Sequence, residues 1–131
     1  ILKRGTLKRL DDFQARLRRF PEISRAISIV DLVKFSRQAF LSGVSSEYAV
    51  PSTEEYAVIG DFIRNSEVEG MVDNAVIYDT TLSKARIKAC VADIGAKKMA
   101  VLMDSVGKDL RDIFVRNVKS GRLKDSTYYK V

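Results

Sequence analysis

Pro21-Glu22-Ile23-Ser24-Arg25-Ala26-Ile27-Ser28-Ile29-Val30-Asp31-Leu32-Val33-Lys34 is the stretch whose reading decides the fold. From Glu22 to Val30 apolar residues alternate with polar ones, and Ile23, Ile27 and Ile29 fall on one face. A period of two with β-branched filling predicts a strand. Asp31 can then cap a second helix through about Ser42. Its apolar stripe is Leu32, Phe35, Ala39 and Phe40, and Gly43 stops it.

Upstream, Leu7, Leu10, Phe13, Leu17 and Phe20 recur every three or four residues with charged residues between them. This spacing predicts one amphipathic helix, with Thr6 as its N-cap and Pro21 as its stop. Asp12 and Arg16 stand in the favourable acid-first order one turn apart. Arg16, Arg18 and Arg19 crowd the end of the helix, where positive charge suits the dipole without any ligand.

Downstream, Val44 to Pro51 is a loop, and Ser52 followed by Glu55 forms a capping box for a third helix that buries Tyr56, Ile59, Phe62 and Ile63. Residues 67–81 carry the weakest pattern, a helical turn near Asn74 and then a strand at Val76 to Tyr78. Ala85, Ile87, Ala89 and Val91 alternate with Lys84, Arg86, Lys88 and Cys90, which predicts a strand apolar on one side and basic on the other. Gly95 separates it from a long helix with Met99, Met103, Val106, Leu110, Ile113 and Phe114 inside, the methionines acting as core filler. After the turn at Ser120-Gly121, Leu123 to Val131 forms a last strand. These pieces amount to one α/β domain.

The 131 residues, 46% of them apolar, suffice for one domain with a real core. The longest apolar runs, Met99 to Met103 and Ala75 to Tyr78, fall far short of the ~20 residues of a membrane span. The chain opens without methionine or a signal-peptide pattern and stops inside an apparent strand, which reads as a piece of something longer. Seven basic residues in 1–19 face only Asp11 and Asp12, and five in 115–131 face only Asp125. The stretch between is slightly acidic, and the whole chain carries +6. Basic ends of this kind are mostly solvated helix faces.

Histidine is absent, so Ser-His-Asp and Cys-His nucleophiles and His-ligated metals are excluded. The lone Cys90 excludes an intrachain disulfide and a cysteine zinc cluster. Three carboxylate pairs exist, Asp11/Asp12, Glu54/Glu55 and Asp109/Asp112. Each lies on the polar side of an amphipathic helix among lysines and arginines, a solvated setting rather than the unlike environments that acid–base catalysis needs. The seven glycines form no phosphate loop. We therefore expect no enzyme, no catalytic residue, no metal and no cofactor. The two basic ends leave a binding module for nucleic acid or anionic surfaces as the alternative, and the strand face at Lys84, Arg86 and Lys88 is the feature in favour of nucleic acid. Nucleic acid is disfavoured, because that face lacks aromatics on which bases stack.

The run from Pro21 to Lys34 resembles the extracytoplasmic domains of bacterial exporters of the resistance-nodulation-division (RND) superfamily, in the MMPL-like branch. There a helix ends at a proline, a strand follows, and a Ser-hydrophobic-hydrophobic-Asp turn starts the next helix. Tyr48-Ala49-Val50-Pro51-Ser52, Ala85-Arg86-Ile87, Val91-Ala92-Asp93-Ile94 and Tyr128-Tyr129-Lys130-Val131 are similar to later pieces in the same order. The resemblance covers nearly the whole chain and is weakest at residues 67–79.

The resemblance implies an α+β sandwich, a ferredoxin-like βαββαβ porter subdomain spanning 1–131 with a helical insertion at about 31–74. It places the domain on the periplasmic side of a bacterial inner membrane protein. There it would receive and pass on a hydrophobic or lipid-like substrate in proton-driven efflux. The implied partners are the transmembrane helices and second porter domain of the same transporter. The family's proton relay lies in membrane helices, and no residue here matches it. In the expected strand order 4-1-3-2, Ile1 to Lys3 is the stump of a central strand beside Tyr128 to Val131. The open sheet edge would then be filled by self-association or by residues outside this sequence.

Overall fold

The computed structural model describes residues 3–65 and 84–119. Four helices dominate them: α1 (Arg4–Leu17), α2 (Ile29–Phe40), α3 (Glu55–Asn65) and α4 (Ala96–Lys119), with a 3-10 turn at Ser45–Glu47 between α2 and α3. Helix α1 packs on both α4 and α2, and α2 packs in turn on α3. The core is shared by these helices: Leu7, Leu10, Phe13 and Leu17 of α1, Ile29, Val30 and Val33 of α2, Ile59 of α3, and Leu102 to Phe114 of α4.

Among the described residues there is no sheet, and this overturns the expected ferredoxin-like βαββαβ sandwich. Strand pairing is reduced to two isolated antiparallel bridges, Ile23 with Val91 and Ile27 with Lys88. The two bridges are four residues apart on one segment and three on the other, so an extra residue bulges out between them. Ile27 and Lys88 exchange both backbone bonds at 2.8 and 2.9 Å, Ser24 N–H reaches Cys90 O at 2.8 Å, and Ala92 N–H reaches Glu22 O at 2.9 Å. In the bulge Cys90 N–H donates to Ser24 Oγ, at 2.9 Å, instead of to a carbonyl. The alternation of residues 22–30 therefore yields a short, interrupted pairing rather than a strand of a sheet.

The second reason is a helix start misplaced by three residues. Ser28, not Asp31, is the N-cap of α2: its Oγ accepts from Val30 N–H at 3.1 Å, and Asp31 Oδ2 accepts Ser28 N–H at 2.9 Å in a capping box. Ile29 and Val30 consequently enter the helix and are buried at 0% and 1% exposure, a burial that outweighs their β-branched preference. The helix rotates accordingly. Phe35 and Phe40, expected in the stripe, are 46% and 60% exposed, while Val33 and Ser36 are buried.

Helix α1 also begins early. Lys3 is its N-cap, with no capping hydrogen bond from the side chain, and Arg4 is already helical. Thr6 lies inside the helix, and Lys3, the last residue of the expected central-strand stump, serves as the helix N-cap; the rest of that stump and its expected neighbour at 128–131 lie outside the described residues. The expected apolar stripe of α1 is buried, with Phe20 partly so.

The capping box at Ser52 is present: Ser52 N–H donates to Glu55 Oε2 at 2.8 Å, and Glu55 N–H donates to Ser52 Oγ at 3.3 Å. Ser52→Ala is expected to cost about 1 kcal/mol in urea unfolding, the usual worth of a cap; an unchanged midpoint would show the box to be idle. Gly43 and Gly95 both take the left-handed conformation, φ +77° and +78°, at the end of α2 and just before α4. In α4 the buried face runs through Leu102, Val106, Leu110, Ile113 and Phe114. Met103 is 38% exposed, so only Met99 of the methionine pair packs against the core.

Ala85, Ile87 and Ala89 are half-buried against the core and Lys84, Arg86, Lys88 and Cys90 are exposed, as the alternation predicts. Val91 departs from it at 38% exposure. The side chains of Phe62 and Ile63, the elements expected at residues 67–81 and the last strand at 123–131 lie outside the described residues.

Candidate functional site

The densest polar cluster gathers where α1, the start of α2 and the loop before α3 meet. Gln14 occupies the apolar face of α1, 3% exposed, and Ser28 is fully buried. Gln14 Nε2 donates to Ala26 O at 2.9 Å and to Asp31 Oδ2 at 2.8 Å, and Ser28 Oγ donates to Gln14 Oε1 at 2.8 Å. On the outer side Tyr48 Oη donates to Asp31 Oδ1 at 2.9 Å. Arg25 Nη2 reaches Tyr48 Oη at 3.3 Å and Asp31 Oδ1 at 3.5 Å. One carboxylate thus joins α1, the segment before α2, and the loop.

Burial pushes the Asp31 carboxyl up, but the bonds from Gln14, Ser28 N–H and Tyr48, with Arg25 nearby, outweigh it and leave the pKa below its ordinary value. Tyr48 moves the other way, raised by burial and then by its bond to the Asp31 anion. Both shifts lead away from neutrality, so neither group is poised to exchange protons near pH 7. The cluster is built to lock the chain.

A second cluster centres on Arg37. Its Nε and Nη2 donate to the two carboxylate oxygens of Glu55 at 3.0 Å each, and Nη1 reaches Glu47 O at 2.9 Å and Glu47 Oε2 at 2.7 Å. The Arg37 bonds and then Ser52 N–H lower the Glu55 pKa to about 2. This bidentate grip ties α2 to the start of α3. Between the clusters Lys34 Nζ pairs with Asp11 at 2.6 Å and lies 5.7 Å from the centre of the Tyr48 ring.

Each carboxylate pair noted in the sequence contributes at least one ion pair between helices. Asp11 binds Lys34 and Glu55 binds Arg37. Asp109 and Asp112 accept from Arg16 at 3.1 and 3.2 Å, and Arg19 adds a bond of 3.0 Å to Asp109. Arg16 thus reaches across to α4 rather than to Asp12 on its own helix. The bonds from Asp112 and Asp109 raise its pKa further. For Asp11, Glu55, Asp109 and Asp112 the expected solvated face gives way to helix packing, whereas Asp12 and Glu54 are exposed.

Ser28 and Tyr48 enter the sequence reading only as members of the runs 21–34 and 48–52, and Gln14 not at all. Two signals pointed to them: Ser28-x-x-Asp31 has capping-box spacing, and Gln14 interrupts the apolar stripe between Leu10 and Leu17. Tyr48 offered no such signal.

Among the described residues no group of three His, Cys, Asp or Glu is arranged to hold a metal ion, and no helix is long and apolar enough to cross a membrane. Neither a family model, nor a curated protein, nor a solved structure matches the chain.

Proposed function

We propose that this chain is a porter-type extracytoplasmic domain of an RND-superfamily exporter of the MMPL-like branch, without chemistry of its own. In this reading it sits on the periplasmic side of a bacterial inner membrane. Its role is to receive and pass a hydrophobic or lipid-like substrate during proton-driven efflux. Its partners are the transmembrane helices and second porter domain of the same transporter. The ferredoxin-like sheet is not part of the proposal.

One observation supports it. Of the segments that resemble the family, 21–34 and 48–52 interlock here and 91–94 pairs with 21–34 through the Ile23–Val91 bridge, while 128–131 lies outside the described residues. Within the run 21–34, Ser28 and Asp31 form the α2 cap and bind Gln14. In the run 48–52, Tyr48 bonds Asp31, Pro51 is buried with its carbonyl accepting from Arg4 Nε at 3.2 Å, and Ser52 caps α3. The runs 85–87 and 91–94 flank the bridges to Ile23 and Ile27. Motifs far apart in sequence meet in one assembly, as parts of a shared domain plan do.

Cys90 is exposed and is the chain's lone cysteine, which makes it a topological probe. The full-length product of the gene, with any other cysteines replaced, is to be treated in intact cells with a membrane-impermeant maleimide. Labelling at Cys90 before the inner membrane is opened is the expected result. Labelling only after the inner membrane is lysed would overturn the assignment.

A further inference from the structure

We infer that the outer face of residues 84–90 is a docking surface for a bilayer rich in acidic phospholipid. Lys84, Arg86 and Lys88 are all exposed there, set two residues apart and spanning ~13 Å of extended chain. Asp11, Asp31, Glu47, Glu55, Asp104, Asp109 and Asp112 are engaged elsewhere, by Lys34, Arg25, Arg37, Lys108, Arg16 and Arg19. Among the described residues no carboxylate pairs with Arg86 or Lys88. Arg86 and Lys88 therefore keep positive charge without an acidic partner among the described residues, complementary to an anionic surface.

Lipid fits the face better than nucleic acid does. The residue directly across the pair from Lys88 is Ile27, and because the two exchange both backbone bonds, their side chains share one face. Ile27 is 48% exposed. An aliphatic side chain standing among cations suits the boundary between headgroups and acyl chains. It offers nothing for a base to stack on. The inference does not rest on the exporter reading, because vesicle binding and Cys90 topology are separate measurements that can fail separately.

The test is co-sedimentation of the 131-residue chain with vesicles of phosphatidylcholine, with and without about one-third phosphatidylglycerol, each variant being checked for helical circular dichroism. Binding to the acidic vesicles alone is expected. A surface cation near an acidic bilayer is worth about fivefold in partitioning, so Arg86→Gln/Lys88→Gln should weaken binding about 25-fold. Ile27→Ser should weaken it a few-fold at unchanged charge. Lys97→Gln/Lys98→Gln removes the same charge from another exposed site and should leave binding largely intact. Equal loss in the two double variants would reduce the effect to net charge and overturn the site. Equal binding to both vesicle types would also overturn it. So would tighter binding to a single-stranded oligonucleotide that ignores Ile27→Ser, which would favour nucleic acid.

Discussion

Replacing Ile29 by alanine will destabilise the chain by about 2–5 kcal/mol, one of the largest losses of any single truncation in α2. The side chain is 0% exposed and belongs to the cluster built from α1, α2, α3 and α4. Removing three carbons there forfeits transfer free energy and leaves a cavity that packed helices close only in part. Phe35→Ala, at a position 46% exposed, should cost well under half as much although its side chain is larger. Urea unfolding of the two variants decides the matter. Equal losses would mean that α2 is rotated and that the stripe through Phe35 is the buried one.

The second large effect belongs to Asp31. Asp31→Ala leaves the Gln14 amide, Ser28 N–H and the Tyr48 hydroxyl without their shared acceptor. The expected loss is about 2–4 kcal/mol at pH 7, because stranded buried donors cost more than the bonds themselves contribute. Asparagine will not restore it: all three partners donate, and an amide presents one acceptor oxygen and two more donors.

The pH dependence has a definite sign. The Asp31 carboxyl is lower in the folded chain than its ordinary value, so its contribution is complete above about pH 4 and fades as acid protonates the folded state. Glu55, lowered to about 2, behaves alike and is untouched by this substitution. The wild-type and Asp31→Ala stability curves should therefore run parallel between pH 5 and 7 and converge below about pH 4. A constant gap down to the acid limit would show that the loss is one of packing and not of the anion.

Much of the helical content was legible because helix periodicity is a local property. Leu7, Leu10, Phe13 and Leu17, and Val106, Leu110, Ile113 and Phe114, declare a buried face through spacing alone, and those faces are buried. The Ser52–Glu55 box was legible for the same reason, since both members lie within one turn. The polar cluster was half legible: Ser28-x-x-Asp31 carries a spacing, but the partners Gln14 and Tyr48 stand 17 residues to either side of Asp31. No local pattern joins positions so far apart.

By itself, then, the sequence determined which segments are amphipathic helices, where Gly43 and Gly95 break the chain, and which side of residues 84–90 is charged. Tertiary structure decided the rest at residues 22–31. There two local signals compete, an alternation that suits a strand and a Ser28 cap that suits a helix. Burying Ile29 and Val30 in the core, with Gln14 satisfying the Ala26 carbonyl and both capping residues, tips the balance toward the earlier helix. The same choice consumes the last residues of the expected strand. The bulge between Ile23 and Ile27 interrupts what is left, because a ladder propagates only when successive residues stay in register with a neighbour. Alternation states that a segment has two faces; whether it becomes part of a sheet depends on partners brought from elsewhere in the chain.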